Sequence, residues 1–182
     1  NAGDTILAPK PGYSLFDTLS GLNDLKLEKY ALRYGSAWYL DEKSLAYFSG
    51  SHSKALIWVN PNNPTGNFAS SEEINFLNDF SIGNACPLVI DEVFFDYQWN
   101  MSFRTRHLAG EKSHKSEISR FARNDNKQSF AGNSGALTFT LSGISKILGL
   151  PQMKLSWIVV SGPKDLAEEA CRRLEVIADA YL

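Results

Sequence analysis

Ala55-Leu56-Ile57-Trp58-Val59 is an unbroken apolar run that stops on Asn60-Pro61-Asn62-Asn63-Pro64-Thr65-Gly66. A strand wet on one face alternates apolar and polar residues. A run this uniform is buried on both faces, the condition of a central strand in a parallel sheet. Parallel neighbours are joined by crossovers, usually helices, so the run directs the chain toward an α/β layer. The loop it delivers carries two X-Pro bonds and a glycine, which leave it little conformational freedom. It is either an ordinary Asn/Pro connection or a rigid mount for side-chain amides.

Other segments fit the same frame. Thr5–Ala8 is a short strand ended by Pro9-Lys10-Pro11-Gly12, with Tyr13 directly after it. Residues 14–22 carry helical spacing, with Ser14 and Asp17 predicted as a capping box. Leu25–Leu32 alternates as a strand, and Trp38–Phe48 reads as a connection with a short helix over Leu40–Phe48. Ser70 and Glu73 are predicted to cap a helix that turns Ile74, Leu77 and Phe80 to one face. Pro87–Ile90 is a buried strand running into Asp91-Glu92-Val93-Phe94. Leu137–Leu141 and the nearly continuous apolar Leu155–Val160 are both expected as buried strands. Gly162-Pro163 opens a last helix, with Glu168–Arg172 and Glu169–Arg173 spaced to pair. Strands alternating with helices predict a three-layer α/β sandwich with a mostly parallel central sheet.

A chain of 182 residues, 43% hydrophobic and 21% charged, can bury one domain and is not disordered. A net charge of −2 exerts no overall pull on nucleic acid or anionic membranes, and no apolar run approaches a membrane span. Cys86 and Cys171 make neither a disulfide framework nor a metal spacing, and His52, His107 and His114 are scattered. The expectation is a cytoplasmic protein with no metal site. Residues 100–135 differ from the rest: Arg104, Arg106, Lys112, Lys115, Arg120, Arg123 and Lys127 outnumber Glu111, Glu117 and Asp125. They read as a polar basic surface segment with a short helix near Ser116–Arg123, or else as a contact arm for a partner. The chain opens on Asn1-Ala2-Gly3-Asp4 and ends on Leu182 inside a helical pattern, so it is expected to be a piece of a longer protein.

Four residues fall where strands of such a sheet end, the edge at which α/β proteins bind ligands. Tyr13 is a packing residue or a flat ring for stacking. Asn63 sits in the rigid loop. Asp91 is a carboxylate whose burial is costly without a cationic partner. Lys146, in Ser142-Gly143-Ile144-Ser145-Lys146, is a surface ammonium or an amine that attacks a carbonyl to form a Schiff base. Together they match the needs of pyridoxal phosphate: an amine for the aldehyde, a carboxylate for the ring nitrogen, an amide for the ring oxygen and an aromatic face.

In that order, NPNNPTG at 60–66, Asp91-Glu92-Val93 and Gly143-Ile144-Ser145-Lys146 resemble the class I/II aminotransferases of the fold-type I pyridoxal-phosphate superfamily, over almost the whole chain. The resemblance implies that Lys146 forms the internal aldimine and shuttles the α-carbon proton. It implies further that Asp91 pairs with the pyridinium, Asn63 binds the ring hydroxyl oxygen, Tyr13 stacks on the ring and Lys154 meets the phosphate. Amino acid and 2-oxo acid substrates and a homodimer in the intact protein are implied as well. The chain departs from the family pattern at three positions: Phe94 replaces a tyrosine, Lys154 an arginine and Gly143 a small hydroxyl residue. Residues 1–182 would be the central part of the large, cofactor-binding domain, inactive when isolated. A pyridoxal-phosphate lyase on the same scaffold, and an aminotransferase-like sensor domain of a transcription regulator, are the alternatives.

Overall fold

The structure, a computed structural model, describes residues 1–97 and 127–181. Its elements are β1 (Thr5–Lys10), α1 (Leu15–Leu22), β2 (Lys26–Tyr34), β3 (Trp38–Leu40), α2 (Glu42–Ala46), β4 (Ala55–Val59) and α3 (Ser71–Asn84). There follow β5 (Leu88–Asp91), β6 (Thr138–Gly143), α4 (Ile144–Ile147), β7 (Ser156–Ser161) and α5 (Lys164–Tyr181). One seven-stranded sheet has the order β3-β2-β1-β4-β5-β6-β7. The five inner strands are parallel, and β3 and β7 run antiparallel at the two edges.

The chain moves from β1 to β2 in one direction along the sheet and from β4 to β5 and β6 in the other. Right-handed crossovers therefore put α1 and α3 on opposite faces, giving three layers. The direction reverses between β1 and β4, the place where such sheets open a crevice at their C-terminal edge.

Register divides the sheet into a core face and a second face. Leu56, Leu88 and Thr138 form one row and Trp58, Ile90 and Thr140 the next. On this core face lie Leu7, Tyr30, Leu32, Leu56, Trp58, Leu88 and Ile90, buried against Ile74, Leu77 and Phe80 of α3 and Leu45 of α2. The capping box of α3 forms as its sequence predicts: the Glu73 amide donates to Ser70 Oγ at 3.1 Å and the Ser70 amide to Glu73 Oε2 at 2.7 Å. Glu73 Oε1 also accepts the Leu40 amide at 2.7 Å, which ties α3 to β3.

Several local expectations are corrected. Ser14 already has helical backbone angles and makes no cap hydrogen bond, while Asp17 pairs with Lys29 at 2.6 Å. A side chain caps from an extended residue, not from within the helix. Trp38–Leu40 is a strand, and the helix after it is confined to Glu42–Ala46. Glu169 binds both Arg172 and Arg173, and Glu168 faces Lys164 instead of Arg172. The largest correction concerns the second of the two apolar strands near the lysine. β7 is an edge strand with Trp157 40% and Ile158 48% exposed. An apolar run signals a need for cover but not what provides it.

Both cysteines are free, Cys86 buried and Cys171 exposed. Among the described residues no helix is long and apolar enough to cross a membrane. Of the basic stretch only 127–135 are described, and the helix expected near Ser116–Arg123 lies outside the described residues.

Candidate active site

The C-terminal ends of β1, β4, β5 and β6 are adjacent, and they carry Tyr13, the 60–66 loop, Asp91 and Lys146 in that spatial order. Tyr13, 42% exposed, meets Phe16 edge-on at 6.0 Å. The loop after β4 is held by its own hydrogen bonds. Asn62 N–H donates to Asn67 O at 2.9 Å and Gly66 N–H to Asn62 O at 2.7 Å. The Asn62 amide donates to Thr65 Oγ1 at 2.7 Å and, across the chain reversal, to Pro11 O at 3.1 Å. That last bond fastens the loop after β4 to the one carrying Tyr13. Asn63, half-buried, is presented by this mount.

Asp91 ends β5 and Glu92 follows it, on opposite faces. Glu92 continues the core-face row of Ile90 and is buried. Its carboxylate accepts from Asn60 Nδ2 at 3.0 Å, the Phe130 amide at 2.9 Å and Ser129 Oγ at 2.6 Å. Asn60 in turn accepts the Ala69 amide at 3.1 Å, so one network spans the ends of β4, β5 and the segment leading to β6. Sequence reading missed Glu92 and Asn60. The period-two alternation after Ile90 was the available signal: it turns Glu92 inward, where a carboxylate needs several donors.

The carboxyl of Asp91, half-buried on the other face, receives only the Val93 amide among the described residues, at 3.1 Å. No ion pair with it forms among the described residues. Burial raises its carboxyl above the ordinary carboxylate range, opposed by the Val93 hydrogen bond. It stands ready for a cationic group that the described chain does not supply.

Lys146 lies in α4, a single turn directly after β6, and its side chain is exposed. Its Nζ sits 5.4 Å from the centroid of the Phe94 ring. Gly143, which opens that turn, explains one departure from the expected pattern. A Cβ there would lie 2.9 Å from Leu155 O and 3.3 Å from Ser156 Cα, so the close approach of β7 excludes a side chain. Lys154, with φ of 49°, follows a short 3-10 turn and is exposed. A cleft of about 790 Å³ involving Ala46, His52, Phe76, Asp79 and Ile82 lies by the C-terminal end of α3, at the opposite edge of the sheet, and takes no part in this site.

The arrangement is an exposed amine, a carboxyl with no cationic partner among the described residues, a rigid amide and an aromatic ring around one sheet edge. It suits a ligand with a carbonyl to capture and a cationic ring to neutralise. Comparison with known proteins concerns the chain as a whole. The glutamate-pyruvate aminotransferase of Haemophilus influenzae is 24% identical over all 182 residues, which cover 40% of that enzyme. The S-alkyl-thiohydroximate lyase of Arabidopsis thaliana is 25% identical over 163 residues, 90% of this chain and 30% of that protein. The chain thus spans less than half the length of either relative. Among solved structures, the pyridoxal-phosphate-bound C-S lyase of Staphylococcus hominis superposes with a TM-score of 0.64 at 21% identity, over 92% of this chain and 39% of that one. The family model for aminotransferase class I and II matches residues 1–182, and the chain belongs to that family.

Proposed function

We propose that this chain carries the pyridoxal-phosphate site of an enzyme that transfers an amino group between an amino acid and a 2-oxo acid. One observation carries the reading: the four candidate residues follow four neighbouring parallel strands at one edge of the sheet. The donor set fits the cofactor, since Asp91 is a half-buried carboxyl with no described cationic partner. When bound, the cofactor supplies an electron sink for charge developing on the substrate's α-carbon.

Lys146 is the amine that holds the cofactor and then moves the α-carbon proton. The Asp91 carboxylate is the counter-charge that keeps the ring nitrogen protonated. Asn63 donates to the ring oxygen from its fixed loop. Phe94 has no hydroxyl to share that task. Tyr13 covers the ring, and Lys154 offers a point charge, without a guanidinium fork, to the phosphate. Assignment of residues 1–182 to the central part of the cofactor-binding domain, a homodimeric intact protein and a cytoplasmic setting belong to the same proposal. Lyase chemistry on these residues is the second reading, favoured by the match to a plant lyase over nine-tenths of the chain.

Borohydride reduction of the cofactor-loaded protein, followed by peptide mapping, tests the reading. The cofactor is expected on Lys146. Attachment to any other lysine overturns it.

A further inference from the structure

We infer that Phe94 and Tyr97 are positioning residues that grip Lys146 from two sides. The Lys146 Nζ lies 5.4 Å from the Phe94 ring centroid. The Tyr97 hydroxyl donates to the Lys146 backbone carbonyl at 2.5 Å, across 49 residues of sequence. The two rings meet edge to face, 5.9 Å apart at 76°. The grip is itself mounted on the core: the Phe95 amide donates to Glu92 O and the Tyr97 amide to Phe94 O, both at 3.0 Å, winding residues 92–97 into successive turns above the buried Glu92.

Lys146 needs such a mount. Its helix is one turn of four residues, none of them buried, and a lysine stem has four rotatable bonds. A nucleophile free to wander over that many conformers spends little time where it can attack. Phe94 restrains the ammonium by cation-π attraction and Tyr97 restrains the backbone from which the stem springs. Where the family pattern has a phenol this chain has Phe94, and the phenol of Tyr97 holds the lysine turn.

This inference rests on Lys146 being the cofactor-holding amine, and two measurements separate the ideas. In cofactor-free protein, acetylation of each lysine is timed by mass spectrometry, with exposed Lys43 on α2 as the internal reference. Phe94→Leu is expected to speed labelling of Lys146 about two- to fivefold relative to Lys43. Phe94→Tyr, which keeps an aromatic face, is expected to label at the parent rate. Tyr97→Phe, which removes one exposed hydroxyl, is expected to slow capture of added pyridoxal phosphate about two- to tenfold, trapped by borohydride, with an unchanged melting temperature. Should Phe94→Leu fail to fold, Tyr97→Phe decides the matter. Parent rates of labelling and capture in both variants overturn the grip, as does Phe94→Tyr labelling like Phe94→Leu. If unmutated protein carries no cofactor on Lys146 while the labelling differences persist, the enzyme reading falls and the grip stands.

Discussion

Asp91 and Glu92 are neighbours in the chain and stand on opposite faces of the sheet. Glu92 is buried and receives three donors, from Asn60, Ser129 and Phe130. Asp91 is only half-buried, and among the described residues its carboxyl receives one, from Val93. The core face is closed: every hydrogen bond of its carboxylate is made within the protein's own packing. The other face carries a carboxyl with no cationic partner among the described residues, an exposed lysine and an exposed tyrosine. The difference separates two tasks. A saturated network fixes where the strand ends are, and the groups left unsatisfied beside it are the ones available to a ligand. Of these the half-buried Asp91 weakens the ligand-free fold, because burying a carboxylate without a cation is unfavourable.

The sharpest way to break this contrast is Asp91→Asn. The amide keeps the acceptor for the Val93 amide and removes the charge. In the cofactor-loaded enzyme, the rate of α-proton removal is expected to fall about a hundredfold or more, as for loss of one preorganised electrostatic partner, while cofactor still binds. Turnover near the parent's would mean that the open carboxyl does not serve the ring.

Glu92→Ala attacks the closed side. It leaves the Ser129 hydroxyl and the Phe130 amide without their acceptor, and the Asn60 amide with only Gln128 O, at 3.4 Å. Unsatisfied buried donors cost about 1–3 kcal/mol each and do not simply add. A loss of about 2–3 kcal/mol is expected, or about 4–12 °C in melting temperature for a chain of this size. A variant melting with the parent would show that the network is not what holds the edge.

The smallest effect has the opposite sign. Burial holds the Asp91 carboxyl above its ordinary 3.8, so between that value and the raised one the folded chain keeps a proton that the unfolded chain releases. Its contribution to stability is therefore full below 3.8 and lost as pH rises through the folded value. Above that window, cofactor-free Asp91→Asn should melt slightly higher than the parent, and below it the two should converge. A parent more stable than Asp91→Asn at neutral pH would mean that Asp91 already has a cationic partner.

The order of elements was legible because it rests on local patterns. Ala55–Val59 reads as a doubly buried strand and is one, and Ser70 with Glu73 reads as a capping box and forms one. Positions of the candidate residues were legible for the same reason: each follows a strand that its own residues define. Long-range partners were not. Nothing in the local pattern of Asp91-Glu92 says that Ser129 and Phe130 will supply donors, or that Tyr97 will reach the carbonyl of Lys146. Trp157 and Ile158 declare themselves apolar, but edge or centre is decided by how many strands lie beyond them. Ser14 and Asp17 have the spacing of a cap, but Lys29, twelve residues beyond Asp17, won the carboxylate.

The Glu92 clamp also bears on how such a chain tolerates change in length. Its bonds to Ser129 and Phe130 close a span of 37 and 38 residues between the end of β5 and the approach to β6. The Asn133 amide extends the join to Asn78 on α3 and Thr138 in β6. Both ends of the intervening sequence are thus pinned by contacts that do not depend on how long it is. Closing a chain between fixed points grows more costly only with the logarithm of its length, about 0.6 kcal/mol for each doubling. The stretch between β5 and β6 should therefore tolerate insertions and deletions with little effect on the register of Asp91 or Lys146.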